Sequence, residues 1–227
     1  MKLIMENWRQ WLGLASAKMH PKIKEILNAI VEDTNVSVII KEKVDAVEIF
    51  YGDPETLEPS STPEGLVEMR LDPWGNGPCL DAYVVSWTRA TSGWGPLLYE
   101  VAIEWASRNA SGLAPDRHSV SDDALGVWIK YAQRPDLDQA QLDIDLEKTG
   151  AGQLGKAFKP SIDQGELSQL TPDDPSDDCV QISALQQAKQ GGGWHEEWED
   201  SPLSQLYSKP TQEVTTALKK AGRLVVV

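Results

Sequence analysis

The chain has 227 residues, of which 41% are hydrophobic, enough to bury the core of one α/β domain with an extension. Its net charge of −14 is concentrated between residues 136 and 201, where fifteen acidic side chains stand against four lysines. Such a field repels phosphate backbones, so the composition argues against a protein that binds duplex nucleic acid.

Three features of the sequence bear on the cellular compartment of the protein and on the state of its cysteines. Glu6 and Arg9 stand where a signal peptide needs an apolar run, and no later segment is long enough to cross a membrane. Cys79 and Cys179 are a hundred residues apart, without CxxC or metal-ligand spacing, so we expect buried thiols and neither a disulfide nor a zinc site. These features predict a protein without a membrane partner, kept in a reducing cytoplasm or in a particle assembled there.

The first third of the chain predicts helices followed by strands. Apolar residues at helical spacing predict two short helices, over residues 3–17 and 21–31. Residues rich in β-branched side chains then predict paired strands over 36–40 and 44–51. A loop rich in Pro, Ser and Thr leads to a further predicted strand over 66–71.

A glycine-containing turn joins the next strand to a helix. Alternating residues predict a central strand over 80–88, and apolar spacing predicts a helix over 96–109. One interpretation is that Gly93 and Gly95 only shape a tight turn, with Pro96 at the first helical position. The other is an anion site, because free N–H groups at a helix start attract the phosphate of a cofactor.

The last part of the chain mixes one more regular helix with irregular sequence. Ser121 is a predicted N-cap for a helix over 122–133. Glycines and prolines predict an irregular acidic arm over 150–202. A helix is expected over 211–221, and the apolar end at 223–227 is expected to add to a sheet or to dock on a partner.

The order of elements over residues 80–134 resembles the cofactor half of the GNAT acyltransferase superfamily. In that family a strand ends in (Arg/Gln)-x-x-Gly-x-(Gly/Ala), and the following amides hold the pyrophosphate of an acyl-coenzyme A. The match here starts at Arg89 and has one residue more before the first glycine. The resemblance implies acetyl-CoA as the cofactor, with no other expected. The residues it implies for cofactor binding are Arg89, Thr91, Ser92, Gly93, Trp94, Gly95 and Leu97.

The same family carries a tyrosine on a later helix that protonates the leaving thiolate. Aligning residues 124–128 with that segment places Trp128 at the tyrosine position. An indole N–H donates a hydrogen bond but does not usefully release a proton. Tyr131, three residues further along the helix, is therefore the candidate catalytic acid.

Residues 93–99 and 115–121, together with Trp128, Tyr131 and Arg134, look like the GNAT-like proteins of tailed bacteriophages. This resemblance implies a structural protein of the virion, present in the host cytoplasm during assembly. Its terminal arms would bind other phage structural proteins or a second copy of the chain, and its fold would be catalytically degenerate. The alternative is an active N-acetyltransferase that transfers an acetyl group from acetyl-CoA to an amine.

The expected fold is α/β, with a mixed, mostly antiparallel GNAT-like sheet flanked by helices. We expect N-terminal helices over residues 1–34 and a GNAT-like core over 35–135. An extended, irregular acidic arm over 136–227 would end in a short helix and an apolar tail.

Two further groups of residues have two interpretations each, and a third group and Cys179 have one. The run from Asp116 to His118 suits a loop with acid and base groups, or structural pairing of Asp116 with Arg117 or with a helix end. The acidic residues between 136 and 147 could collect a divalent cation, but they lack EF-hand spacing, and we expect a solvated face and no metal. Trp194 and Trp198 resemble a docking motif on a flexible tether, and Cys179 is expected to be structural.

Overall fold

The structure is a computed structural model that describes residues 19–33, 35–71, 79–144, 178–179, 182–184 and 201–227. The chain forms two compact units. The first comprises Met1–Met69, Trp87–Trp105 and Thr211–Val227, and the second comprises Arg70–Ser86 and Ala106–Pro210. The predicted helix over 3–17 lies outside the described residues, as do most of residues 150–202 and the Trp194 to Trp198 motif.

The first unit combines most of a mixed sheet with three helical segments. Its elements are α1 (Pro21–Asp33), β1 (Ser37–Glu42), β2 (Val47–Gly52), β3 (Gly65–Arg70), the end of β4 (Tyr83–Ala90), most of α2 (Gly95–Asn109), α4 (Glu213–Lys220) and β10 (Leu224–Val226). Strand β3 buries every second residue, as a strand does when only one of its faces is fully covered.

The second unit contains the remaining elements. These are the start of β4, the end of α2, β5 (Leu113–Ala114), α3 (Asp122–Ala132), β6 (Asp138–Gln141), β7 (Asp143–Ile144), β8 (Asp178–Cys179), a 3₁₀ turn (Pro202–Ser204) and β9 (Gln205–Ser208). Its core includes seven buried residues: Cys79, Ala82, Val84, Ala114, Leu142, Cys179 and Leu206.

The main sheet has eight strands in the order β10-β1-β2-β3-β4-β5-β9-β6, and β4 belongs to both units. The pairs β1–β10 and β4–β5 are parallel. The pairs β1–β2, β2–β3, β5–β9 and β6–β9 are antiparallel. The predicted α/β class with a mixed, mostly antiparallel sheet is therefore confirmed.

Several predicted elements appear with shifted ends. The strand expected over 80–88 runs from Tyr83 to Ala90, because Leu80 and Asp81 have positive φ angles of 49° and 53° and form a turn. Val44, expected in a strand, is fully exposed in the turn between β1 and β2. Helix α3 begins after the predicted cap, with the Ser121 hydroxyl accepting a hydrogen bond from an amide.

The expectation of two buried thiols is wrong. Cys79 and Cys179 are joined in a disulfide, with Cα atoms 5.3 Å apart, and both are buried in the core of the second unit. Spacing along the chain gave no sign of the bond, because a hundred residues separate the partners and the fold alone brings them together. Among the described helices, none is long and apolar enough to cross a membrane.

Candidate functional site

The turn between β4 and α2 is tied to the residue that precedes β3. The Thr91 amide donates to the Glu64 carbonyl at 2.7 Å, and the Glu64 amide donates to the Thr91 hydroxyl at 2.9 Å. The Trp94 amide closes the turn by donating to the Thr91 carbonyl at 2.9 Å. These bonds fix both ends of the turn relative to the sheet of the first unit.

Tyr51 of β2 holds the far side of this turn. Its hydroxyl donates to the Trp94 carbonyl at 2.7 Å, and the two rings meet edge to face with centroids 5.3 Å apart. Burial raises the pKa of Tyr51 well above its ordinary value, so the hydroxyl stays protonated and remains a donor. The turn is therefore preorganised by buried contacts.

Four amides of this turn and of the first turn of α2 make no hydrogen bond with any described residue, namely those of Ser92, Gly93, Gly95 and Leu97. Gly93 has a φ of +86°, a backbone conformation that other residues rarely adopt. A Cβ atom at Gly93 would lie 3.7 Å from the Lys22 ammonium nitrogen, which also pairs with Glu25 at 3.0 Å. Free amides, a helix dipole and a nearby cation together suit an anionic oxygen.

Arg89 precedes the turn, and its guanidinium forms an ion pair with the Glu64 carboxylate. The two side chains are 58% and 43% exposed, so this pair contributes little to stability. All seven residues predicted to bind the cofactor, Arg89 to Leu97, lie in the first unit. Of these seven residues, Arg89 has its side chain paired with the Glu64 carboxylate.

Arg89 also lines a groove of about 300 Å³ on the first unit. Side chains from β1 to β4 and from the loop before β3 surround it. The lining residues are Lys41, Glu48, Phe50, Leu57, Glu58, Pro59, Ser60, Glu64, Gly65, Leu66, Trp87 and Arg89. Its volume lies at the lower end of the range for small-molecule sites.

Tyr131, the predicted catalytic acid, lies on α3 in the second unit and is only 5% exposed. Its ring meets Trp128 and Tyr207 with centroid distances of 5.8 and 6.3 Å. The Arg134 guanidinium lies 5.2 Å from the Tyr131 ring centroid. Trp128 stacks on Tyr207 at 5.4 Å, so Trp128 is part of the same aromatic cluster.

In the loop that contains Asp116 to His118, the Asp116 carboxylate binds nearby backbone amides. The Asp116 carboxylate accepts from the amides of His118 and Ser119 at 2.7 and 3.1 Å. Burial raises the pKa of Asp116, and it lowers the pKa of His118. Arg117 between them is buried. The geometry is that of a hydrogen-bonded turn in which the Asp116 carboxylate binds backbone amides, and the pairing of Asp116 with Arg117 or a helix end stays a prediction.

The other predicted groups give no further site. Within the described ranges, no group of three or more His, Cys, Asp or Glu side chains could hold a metal ion. Asp138 lies exposed on β6, and Asp136 pairs with Arg134, whose hydrogen bonds lower the pKa of that carboxyl. Residues 145–147 of the acidic series lie outside the described residues.

Searches of family models, curated proteins and solved structures give no match to this chain.

Four residues around the turn and the groove were not predicted from the sequence as site residues: Lys22, Tyr51, Glu64 and Trp87. Tyr51 reads as an ordinary strand residue, because nothing in its neighbourhood shows that its hydroxyl reaches residue 94. Lys22 is one of several charges on an amphipathic helix. The charge at residue 64 lies in a loop, and only the fold places it beside Arg89.

Proposed function

We propose that this chain is a virion-associated bacteriophage protein with a GNAT-like fold that holds acetyl-CoA at residues 91–97 without transferring its acetyl group. The main support comes from the four amides of Ser92, Gly93, Gly95 and Leu97, which have no acceptor among the described residues. A pyrophosphate supplies oxygens for such amides and is favoured by the helix dipole. Lys22 adds a positive charge beside Gly93.

The position of the turn also supports this proposal. The chain passes from β4 through the turn, α2 and β5 to α3, the order on which the resemblance depends. The turn directly follows the carboxyl end of β4. Ligands of α/β sheets commonly bind at such ends.

Burial of Tyr131 supports a protein that binds the cofactor but does not transfer the acetyl group. A general acid must come within hydrogen-bond reach of the atom it protonates. Tyr131 is buried against Trp128 and Tyr207, and the guanidinium of Arg134 lies near its ring. Replacing Tyr131 by Phe should therefore leave acetyl-CoA binding unchanged.

Calorimetric titration with acetyl-CoA tests the binding step. Gly93→Asp and Gly93→Asn form a matched pair, because both residues tolerate a positive φ and only Asp adds a negative charge. We expect wild type and Gly93→Asn to bind, Gly93→Asp to lose most of its affinity, and Lys22→Gln to bind more weakly. Equal affinity of the Asp and Asn variants, or no heat from the wild type at millimolar ligand, would contradict an anion site at this turn.

An active N-acetyltransferase is the alternative, and the same amides would serve it. A thiol reagent that detects released coenzyme A separates the two, with a panel of primary amines as acceptors. We expect no release above the rate of spontaneous hydrolysis. Amine-dependent release that disappears in Tyr131→Phe would replace the proposal by the enzyme.

Association with the virion needs its own experiment. Truncation after Arg134 is unsuitable, because it removes β6, β9, α4 and β10 from the two units. The double variant Trp194→Ala and Trp198→Ala changes only the predicted docking motif, which lies outside the described residues. We expect mass spectrometry of purified particles to find the wild-type chain and not this variant. Equal incorporation of both would count against docking through the arm.

A further inference from the structure

The groove on the first unit has an apolar floor and one rigid wall. Phe50, only 3% exposed, and Leu66 lie opposite each other on β2 and β3. The loop that forms the wall is held by its own backbone: Leu57 donates to the Asp53 carbonyl at 2.8 Å, and Asp53 donates back to the Glu58 carbonyl at 3.1 Å. A groove with such a preformed wall loses little entropy when a ligand binds.

Trp87 stands half exposed on β4 within this concave surface. The half-exposed indole lies beside the apolar floor and offers a flat face to a ligand ring. Arg89, on the same face of β4, has its charge balanced by Glu64. An apolar group of a ligand can therefore pack against the Trp87 side chain.

Two opposite charges in the groove lining remain without a partner among the described residues. The ion pairs Arg89–Glu64 and Lys43–Glu48 account for the lining's other charged side chains. The ammonium of Lys41 and the carboxylate of Glu58 make no hydrogen bond or ion pair there. Because both signs are present, the groove suits a ligand that itself carries one positive and one negative group.

The separation of these charges sets the length of that ligand. Lys41 lies directly opposite Glu48 in the β1–β2 register, whereas the Glu58 carbonyl packs against Gly52 at the other end of β2. Positions 48 and 52 are four residue steps apart along β2, a distance of about 13 Å. An extended chain covers about 3.4 Å per residue, so a peptide of about three residues spans the gap together with the two long side chains.

We propose that this groove binds a short peptide with free ends. Its ammonium pairs with Glu58, its carboxylate pairs with Lys41, and an aromatic or large apolar side chain lies against Trp87. The proposal is independent of acetyl-CoA, since none of these three residues belongs to the turn at 91–97.

Three forms of one tripeptide test the two ends separately in titrations of the full-length protein without acetyl-CoA. They are Ala-Phe-Ala with free ends, its N-acetylated form and its C-amidated form. We expect the free form to bind about tenfold more tightly than either blocked form, the difference typical of one charged hydrogen bond. Glu58→Gln should weaken the free and amidated forms and leave the acetylated form unchanged. Lys41→Gln should weaken the free and acetylated forms only.

Two further variants control the experiment. Trp87→Ala should weaken all three peptides, and Glu55→Gln, which removes a carboxylate of the same loop outside the lining, should change none of them. Circular dichroism checks that each variant is folded. Equal affinity of the three peptides, or no binding of the free form at millimolar concentration, would overturn the proposal. Either result would leave the acetyl-CoA titration unaffected.

Discussion

Glu104 shows how a single buried carboxylate connects distant parts of the first unit. It lies on α2 with no exposed surface, and it accepts hydrogen bonds from the amides of Val214 and Thr215 at 3.0 and 2.8 Å. The Thr215 hydroxyl donates a third, at 2.8 Å. A carboxylate at the first turn of α4 satisfies amides that the helix cannot pair and favours its dipole. Residue 104 therefore acts as an N-cap supplied from another helix.

Removing this carboxylate should destabilise the protein. We expect Glu104→Ala to lower the free energy of unfolding by about 3 kcal/mol, because it leaves buried donors without an acceptor. Thr215→Val removes only one of the three bonds and should cost about 1 kcal/mol. Urea denaturation followed by circular dichroism measures both. A loss for Glu104→Ala no larger than that for Thr215→Val would contradict the capping role.

His118 should make stability depend on pH. Burial, with a smaller contribution from Arg117, lowers the pKa of its imidazole below the ordinary 6.5, whereas Asp116 opposes the shift. The folded state thus favours neutral His118, and its stabilising effect is complete above the unfolded pKa and is lost as the pH falls through and below it. As the pH falls from about 7 to about 5, the urea concentration at the midpoint of unfolding should decrease less steeply for His118→Gln than for the wild type. The exposed His20→Gln serves as control, and equal slopes for His118→Gln and wild type would contradict the prediction.

At the scale of elements, the residue just before β5 lies so close to the backbone of β9 that only glycine fits there. Gly112 has a φ of +146°, and a Cβ atom there would lie 2.5 Å from the Tyr207 carbonyl oxygen. Gly126, in the middle of α3, has open space around the same position. Gly112 and Gly126, both in the second unit, therefore have opposite roles.

Alanine substitution at these positions should change stability in opposite directions. Gly112→Ala should cost more than about 2 kcal/mol through the steric clash and backbone strain. Gly126→Ala should gain about 0.5–1 kcal/mol, because it removes the cost of glycine inside a helix. Thermal melts of both variants test this, and a destabilised Gly126→Ala would show that the space beside α3 is needed.

Local patterns predicted some elements well and left their long-range partners unknown. Helices α2 and α3 follow from apolar spacing and, for α3, from the cap Ser121, since these signals lie within the helix itself. The apolar end was expected to add to a sheet or to dock on a partner. It forms β10, where Val225 pairs with Ile39 of β1, and the sheet prediction is confirmed. Contacts such as Glu104 with α4 join residues 110 apart, and no local periodicity encodes them.

At the scale of the whole molecule, the disulfide is the most consequential difference from the sequence expectation. It links residues 79 and 179, and its two sulfurs lie in the buried cluster of the second unit. Disulfides persist in oxidising surroundings, including the surfaces of virions, and are rare in a reducing cytoplasm. We therefore expect the bond to form in oxidising surroundings.

Thiol titration in denaturant checks this bond. Without reductant we expect no reactive thiol, and after reduction we expect two, since the chain has two cysteines and neither is free. Chain entropy for a loop of this length predicts that Cys79→Ser with Cys179→Ser loses about 4.7 kcal/mol of unfolding free energy. Two reactive thiols in the untreated protein would contradict the linkage.

An NMR titration of the isotopically labelled protein with acetyl-CoA tests the proposed function most directly, because it observes the amides themselves. We predict saturable shifts of the amide resonances of Ser92, Gly93, Gly95 and Leu97, while that of Gly126 stays in place. Unchanged amide resonances at the turn with millimolar acetyl-CoA, or saturable shifts confined to other residues, would contradict it.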